Sequence, residues 1–360
     1  MHRYLFFFLV LSSLSGRTQN TSETKVSIEK KRKNWDTLKY EKFERVFIVG
    51  LFQQYRNFSN EFKQLINNDS LGISNNTYFA ESQLIGGIVL NYDKFSLSLG
   101  TRTQPQEFNT GKGHTKTFNI GFNVGDNRWV SENYYRRFEG FYNKSTQNFD
   151  TAFKRTGNYY LQPGLKSSLL SSRFMYFSHY DRFSFKSGFG CNYRQLKSAA
   201  SWIIGGSFNV YTLNNDSSIF PIQSRKYYND YANLKGFQSV NISGAFGGAA
   251  TLVIFKALFI SGYFTVGPEQ QWRSYNLGDN YRNLSYMSWS GTGRFSMGLN
   301  MRRFYLLVSN SNDYNLYNSA KIMSLKSESI THNFTFGWRF YKETPKFYEK
   351  FMKSKFYSFL

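Results

Sequence analysis

Along residues 116–142 apolar and polar side chains trade places at every step. Phe118, Ile120, Phe122 and Val124 share one parity, and Thr117, Asn119, Gly121 and Asn123 share the other. Strand side chains point alternately to opposite faces, so this segment predicts a strand with one greasy and one polar face. Gly125-Asp126-Asn127 then supplies a turn, and a second run begins at Arg128 and Trp129. The same device recurs. Phe95, Leu97 and Leu99 alternate with Lys94, Ser96, Ser98 and Gly100 after a turn at residues 91–93. Phe295, Met297, Leu299 and Met301 alternate with Arg294, Ser296, Asn300 and Arg302, and Phe334, Phe336, Trp338 and Phe340 with Asn333, Thr335, Gly337 and Arg339.

Residues 182–194 read the same way, with Phe183, Phe185, Phe189, Cys191 and Tyr193 on one parity and Arg182, Ser184, Lys186, Asn192 and Arg194 on the other. Further strands are expected at 46–55, 78–90, 166–179, 201–213, 236–255, 258–266 and 304–308. The polar stretches 57–76, 103–114, 143–162, 214–235 and 267–290 read as loops. Arg136, Arg137 and Glu139 break the alternation on their own strand.

Short turns alternate with long polar loops, as in bacterial barrels with an even number of strands. The reading yields 13 stretches, and the rhythm slips between Leu196 and Phe255. Either a strand hides in 214–235, giving 14, or one stretch lies outside the wall, giving 12; 14 is preferred. The expected fold is all-β: a single antiparallel transmembrane β-barrel of about 12–14 strands spanning residues 45–341.

Composition agrees. Aromatics make up 20 % of the 360 residues, with 38 Phe and 27 Tyr, so rings rather than Leu and Val supply the greasy surface. Mean hydropathy is only −0.50, as expected when half of each strand is polar. Residues 1–19 resemble a secretory signal peptide: His2 and Arg3, an apolar run through Leu11, then small residues. That run is too short to span a bilayer, which needs about 20 residues. Residues 20–44, with the basic knot Lys30-Lys31-Arg32-Lys33, read as a polar periplasmic lead-in, and 342–360 as a basic aromatic tail. In that tail Phe347/Phe351 and Tyr348/Met352 share a helical face, suiting either an acidic lipid surface or a mobile end. The expected address is the outer membrane, with its lipid and lipopolysaccharide and the barrel-assembly machinery as partners.

The formal charge of +22 suits anionic partners, but the charges are scattered through alternating strands without a groove-reading module, so nucleic acid is not expected. If rings face lipid, Lys94, Arg102, Lys186, Arg194, Arg294, Arg302 and Arg339 face the lumen or its rims, since a charge on the lipid face costs roughly 2–4 kcal/mol. Such a lumen favours anions if open. It conducts nothing if side chains fill it and the cations pair with Glu132, Glu139 or loop acids. Catalytic chemistry has little support. Of the histidines beyond the leader, His114, His179 and His332, none shows His-x-Ser spacing, though Ser171 and Ser178 precede His179. No metal-ligand cluster or nucleotide loop stands out, so no cofactor or metal is expected, and the single Cys191 excludes an internal disulfide. A barrel enzyme acting on acyl chains and a surface adhesin using the long loops remain the alternative functions.

Several groups of residues together resemble an uncharacterised family of Bacteroidota envelope proteins, the domain of unknown function 4421. They are Gly113-x-Thr115-Lys116, Trp129-Val130, Tyr134-Tyr135, Phe138-x-Gly140-Phe141-Tyr142, Lys197-Ser198-Ala199, Gly205-Gly206-Ser207-Phe208, Asp216-Ser217-Ser218, the Gly-rich strand 244–248 and Gly337-x-Arg339-Phe340. The resemblance implies an outer-membrane barrel and brings no catalytic residues. The chain departs from the usual barrel ending in the 19 residues that follow Tyr341.

Overall fold

The computed structural model describes residues 39–43, 46–65, 69, 72–81, 83–103, 111–319, 322–341, 344–355 and 357. The leader 1–19 and most of the lead-in, with its basic knot, lie outside the described residues. Fifteen strands occur among those described: β1 Tyr40–Lys42, β2 Val46–Gln64, β3 Asn76–Phe79, β4 Gln83–Tyr92, β5 Phe95–Arg102, β6 Lys116–Gly125, β7 Trp129–Asn143, β8 Tyr160–Phe177, β9 Tyr193–Gln195, β10 Ala199–Asn214, β11 Gly236–Ile254, β12 Leu258–Asn276, β13 Tyr281–Asn300, β14 Phe304–Ser319 and β15 Met323–Tyr341. Twelve of them close a ring in the order β2-β4-β5-β6-β7-β8-β10-β11-β12-β13-β14-β15, sealed by antiparallel pairing of β15 with β2 from Tyr341↔Val46 to Met323↔Gln64. β3 is a short bridge between the upper parts of β2 and β7. β1 pairs with β9 in a separate two-stranded ribbon.

The all-β transmembrane barrel is therefore the fold, with 12 wall strands rather than 14. The stretch that leaves the wall is 182–194, which forms a short helix α1 (Phe185–Phe189) followed by β9. Alternating rings look alike whether their greasy side meets hydrocarbon or a protein interior. Here Phe183 and Phe185 pack on Phe177 and Tyr263 inside the barrel. Residues 214–235 hold no wall strand.

The parity of rings and polar groups holds around the wall. Phe122 (43 % exposed), Phe295 (46 %) and Phe336 (38 %) point outward. Their neighbours Asn119, Ser296 and Thr335 are buried inside. Residues 57–64 and most of 267–290 continue strands instead of forming loops. In these extensions the order turns over: Phe58, Phe62 and Tyr275 point inward and are buried, while Asn57, Ser59, Glu61 and Lys63 face outward, so a greasy outer parity no longer marks the strand. The difficult strand β7 also resolves: Arg136 points inward to Asp313, whereas Arg137 and Glu139 lie on the outer side and pair at 3.1 Å. A bulge between Glu139 and Phe141 then shifts the register. Gly140 occupies it with φ +89, a backbone conformation that glycine adopts without strain, and a Cβ there would overlap the His114 carbonyl.

Both described ends of the chain enter the wall at the same rim, Val46 and Tyr341 being register partners. This rim also carries the tight turns 93–94, 126–128, 255–257 and 301–303. It also holds the long connection 178–198, while the opposite rim carries 215–235 and most of the other longer connections.

Candidate functional site

The lumen is the place where chemistry or transport would occur, and side chains fill it in three layers. At the longer-loop rim, residues 215–235 fold inward. Ile219, Phe220, Tyr228, Tyr231 and Leu234 are buried against Phe62, Tyr78, Phe237, Tyr275 and Tyr317 from the wall. Two hydroxyls of this aromatic plug reach backbone carbonyls: Tyr78 donates to Ile219 O and Tyr228 to Ser74 O. Within the Asp216-Ser217-Ser218 motif, Ser218 Oγ donates to Ala232 O at 2.9 Å and accepts from Phe220 N at 3.3 Å.

At the tight-turn rim, residues 178–198 fold inward with α1. Phe183, Phe185 and Cys191 are buried, and Tyr40–Phe43, expected within the polar lead-in, runs beside them. Lys186 is fully enclosed here, donating to Gly125 O at 2.5 Å and Lys94 O at 3.1 Å. Burial pulls its ammonium down to about 7; the carboxylates of Asp126 and Asp93 oppose that pull, and Lys42 and Lys94 reinforce it.

Between the two inserts lies a charged layer. Arg294 forks onto both oxygens of Glu132 at 2.8 and 3.3 Å, and Arg173 reaches Glu132 at 3.6 Å. Arg136 binds Asp313 at 3.0 Å, with Arg173 4.0 Å from its other oxygen. Arg56, 2 % exposed, donates to Gln54 Oε1 at 2.7 Å and Thr331 Oγ1 at 3.3 Å. These groups come from β2, β7, β8, β13, β14 and β15, so the layer ties opposite walls together. Bidentate geometry of this kind is what arginine offers and lysine does not. The cavity beside it has a volume of about 50 Å³, room for a few water molecules.

The seven cations expected at the lumen do not form one ring. Arg294 alone joins the charged layer. Arg339 pins the lower insert, its Nη2 donating to Cys191 O at 2.5 Å and Asn300 Oδ1 at 2.7 Å. Arg194 and Arg302 reach Glu41 at 3.8 and 3.4 Å, at the rim. Lys94 donates to Tyr357 O at 3.1 Å, and Arg102 pairs with Glu81 at 3.0 Å near the other rim. Pairing of the cations with carboxylates inside a filled lumen, Glu132 first among them, is what the geometry contains. Glu139 is not one of those partners, because it lies outside. The sequence reading missed Arg56, Arg173 and Asp313. Arg173 sits on the inward parity of an expected strand and was findable; Asp313 lies on the part of β14 beyond Val308 that was not read as strand.

The tail forms a helix, α2 (Lys346–Met352), and turns back onto the barrel. Tyr348 packs edge-on against Tyr92 at 4.8 Å, and its hydroxyl donates to Asp93 Oδ2 at 3.0 Å; the Tyr357 hydroxyl donates to the same oxygen. Tyr348 thus faces the wall, so the tail helix docks on the β4–β5 turn while Phe347 stays exposed. Burial alone would raise the Asp93 carboxyl, but Lys42 at 2.9 Å and the two hydroxyls outweigh it and hold the group below the usual range.

The histidines are scattered. Ser178 Oγ lies 3.0 Å from His179 Nδ1, but the same oxygen accepts from Trp202 N at 3.3 Å, and among the described residues no carboxylate contacts the ring. His332 stacks on Tyr55 outside the wall and contacts Asn310 Nδ2 at 2.9 Å. His114 lies exposed on the segment leading into β6.

Among solved structures, the chain is similar to the outer membrane protease OmpT from Escherichia coli, at 7 % identity and TM-score 0.39, covering 82 % of this chain and 97 % of that one. It is also similar to the translocator domain of the autotransporter NalP from Neisseria meningitidis, at 6 % identity and TM-score 0.34, covering 89 % and 98 %. An outer membrane channel from Pseudomonas putida F1 matches at 10 % identity and TM-score 0.32, covering 83 % and 97 %. No curated protein matches the chain. One family does, over residues 36–340, which takes in all twelve wall strands but for the last residue of β15 and both inserts, and the chain accordingly belongs to the domain of unknown function family DUF4421.

Proposed function

We propose that the chain is a non-enzymatic component of the outer membrane, a barrel whose lumen is closed. One observation carries this reading: the Arg173–Glu132–Arg294 and Arg136–Asp313 pairs cross the middle of the lumen, with a folded insert above and another below. Opening a path would require breaking buried ion pairs and withdrawing an insert, and breaking one buried pair alone costs about 3–5 kcal/mol. The outer belt meets membrane lipid and lipopolysaccharide, the tight-turn rim faces the periplasm, and insertion depends on the barrel-assembly machinery. Planar bilayers are the test. The reconstituted protein leaves conductance at baseline, whereas discrete anion-selective steps in the unmodified protein would replace this reading with that of a cation-lined pore.

A further inference from the structure

The wall has one seam that stops short while both of its strands continue. β13 pairs with β14 over nine positions, from Asn300↔Tyr305 to Thr292↔Asp313. Beyond that point β13 runs on to Tyr281, paired only with β12, and β14 runs on to Ser319, paired only with β15. Two strand edges therefore face each other without a ladder, an arrangement that proteins elsewhere pair or cover. The gap is a cleft of about 630 Å³. Residues from both faces of the wall line it: Phe264, Met287 and Trp289 from the outer face, Glu269, Ser288 and Ser290 from the inner. An intact wall does not bring inward and outward side chains to one cavity. Glu269, Ser290, Gly291 and Tyr314 also line the cavity beside the charged layer, so the breach leads inward.

We propose that this seam is a sideways binding cleft for a single-chain amphiphile with an amine head. The chain would rest on Met287 (73 % exposed), Trp289 (74 %) and Phe264 (59 %), which continue the outer apolar surface. Gly291 and Gly293 keep the way open: a Cβ at either would meet nothing closer than 3.7 Å. The head is selected by charge. Among the described residues Glu269 is the only carboxylate or cation lining the cleft; its Oε1 accepts from Gln271, and its Oε2 has no partner among them. With the Ser288 and Ser290 hydroxyls beside it, it presents acceptors to an ammonium's three donors. Arg173 lines the adjoining cavity and shares Glu132 with Arg294, so cations beyond the cleft stop a cationic head at the mouth, while Arg273 beside it is taken up by Gln271. An anionic head would meet Glu269 first and be repelled.

The inference rests on the barrel standing in a membrane, and its test is separate from the conductance test. The full chain is placed in lipid nanodiscs with three photoreactive diazirine probes that share one twelve-carbon chain and differ in the head: amine, hydroxyl or carboxylate. The amine probe labels residues 284–293 and 312–314 about tenfold more than the other two, in line with a charge-assisted bond. Glu269→Gln removes that preference, and Gly291→Leu, which fills the cleft from its open side, removes the labelling. Equal labelling by the three heads, preference for the carboxylate, or an unchanged preference in Glu269→Gln would overturn the proposal. The comparison of heads on the unmodified protein stands even if a variant fails to fold. A silent bilayer with no amine preference refutes the cleft alone; conductance with amine preference refutes the closed lumen alone.

Discussion

Glu132 holds the centre of the lumen, and replacing it measures what the charged layer contributes. Its side chain is 7 % exposed, and those of Arg173 and Arg294 are 11 % and 24 % exposed. Glu132→Gln keeps the shape and one acceptor oxygen but leaves two enclosed guanidiniums facing Asp313 as the remaining carboxylate of the layer. Breaking a buried pair from one side costs about 3–5 kcal/mol, and the retained oxygen puts this change near the lower end, about 3 kcal/mol. Adding Arg294→Gln removes the stranded charge, so the double variant should recover at least about 1.5 kcal/mol relative to the sum of the single changes. The exposed pair Arg137–Glu139 is the control, and Glu139→Gln should cost less than about 1 kcal/mol. Reversible urea unfolding into lipid vesicles, followed by tryptophan fluorescence and by heat-modifiable gel migration, reads the wild type, the two lumen single variants, their double and the control. If Glu132→Gln falls within about 0.5 kcal/mol of wild type, or the two lumen changes simply add, the layer is not a compensated charge network and the reasoning fails.

Other outcomes follow from the same geometry. Asp93→Asn removes the carboxylate charge that Lys42, Tyr348 and Tyr357 share and leaves one acceptor oxygen for the three, so trypsin should cut at Lys350 and Lys353 about tenfold faster. Because the native Asp93 carboxyl is held below its ordinary value, tail docking in the wild type persists above about pH 4 and weakens as pH falls through that lower native value; tail cleavage by a protease active in acid, followed from pH 5 to 3, checks it. Lys186 has the opposite sense: its native value of about 7 lies below that of an unfolded lysine, so the unfolded chain binds the extra proton and stability should rise from pH 7 to pH 9. Lys186→Met should flatten that slope in urea midpoints measured at the two pH values. At Gly337 a Cβ would overlap the Tyr305 ring, so Gly337→Ala should lower stability by about 1–3 kcal/mol in the same urea assay.

The wall was legible wherever hydrocarbon sorted the residues. Phe118–Val124 and Phe334–Phe340 alternate because each second side chain meets lipid, and these strands stand where the pattern puts them. Legibility ended where that sorting ended. The upper parts of β12, β14 and β15 turn Tyr275, Tyr317 and Leu325 inward onto the plug, so the order of rings outside and polar groups inside fails there and they were not read as strand. The inserts fail for a different reason. Phe183 and Phe185 alternate as wall residues do, but they fold back onto Phe177 at the end of β8, and Phe185 also meets Tyr263 of β12, a long-range contact that no local pattern encodes. Reading the cations one strand at a time put Arg294 on the inner parity. It did not show that Arg294 meets Glu132 from 162 positions away, or that Arg339 serves the lower insert instead of a conduction path.

The claim beneath everything else is that period-two sorting marks a wall with hydrocarbon outside and a packed interior within. Nitroxide labels placed one at a time at residues 117–124, in a Cys191→Ala background reconstituted in lipid, test it through their accessibility to oxygen, which concentrates in hydrocarbon. Labels at 118, 120, 122 and 124 should relax fast with oxygen and those at 117, 119, 121 and 123 slowly. Accessibility that fails to alternate, or that peaks at the polar parity, would contradict the account.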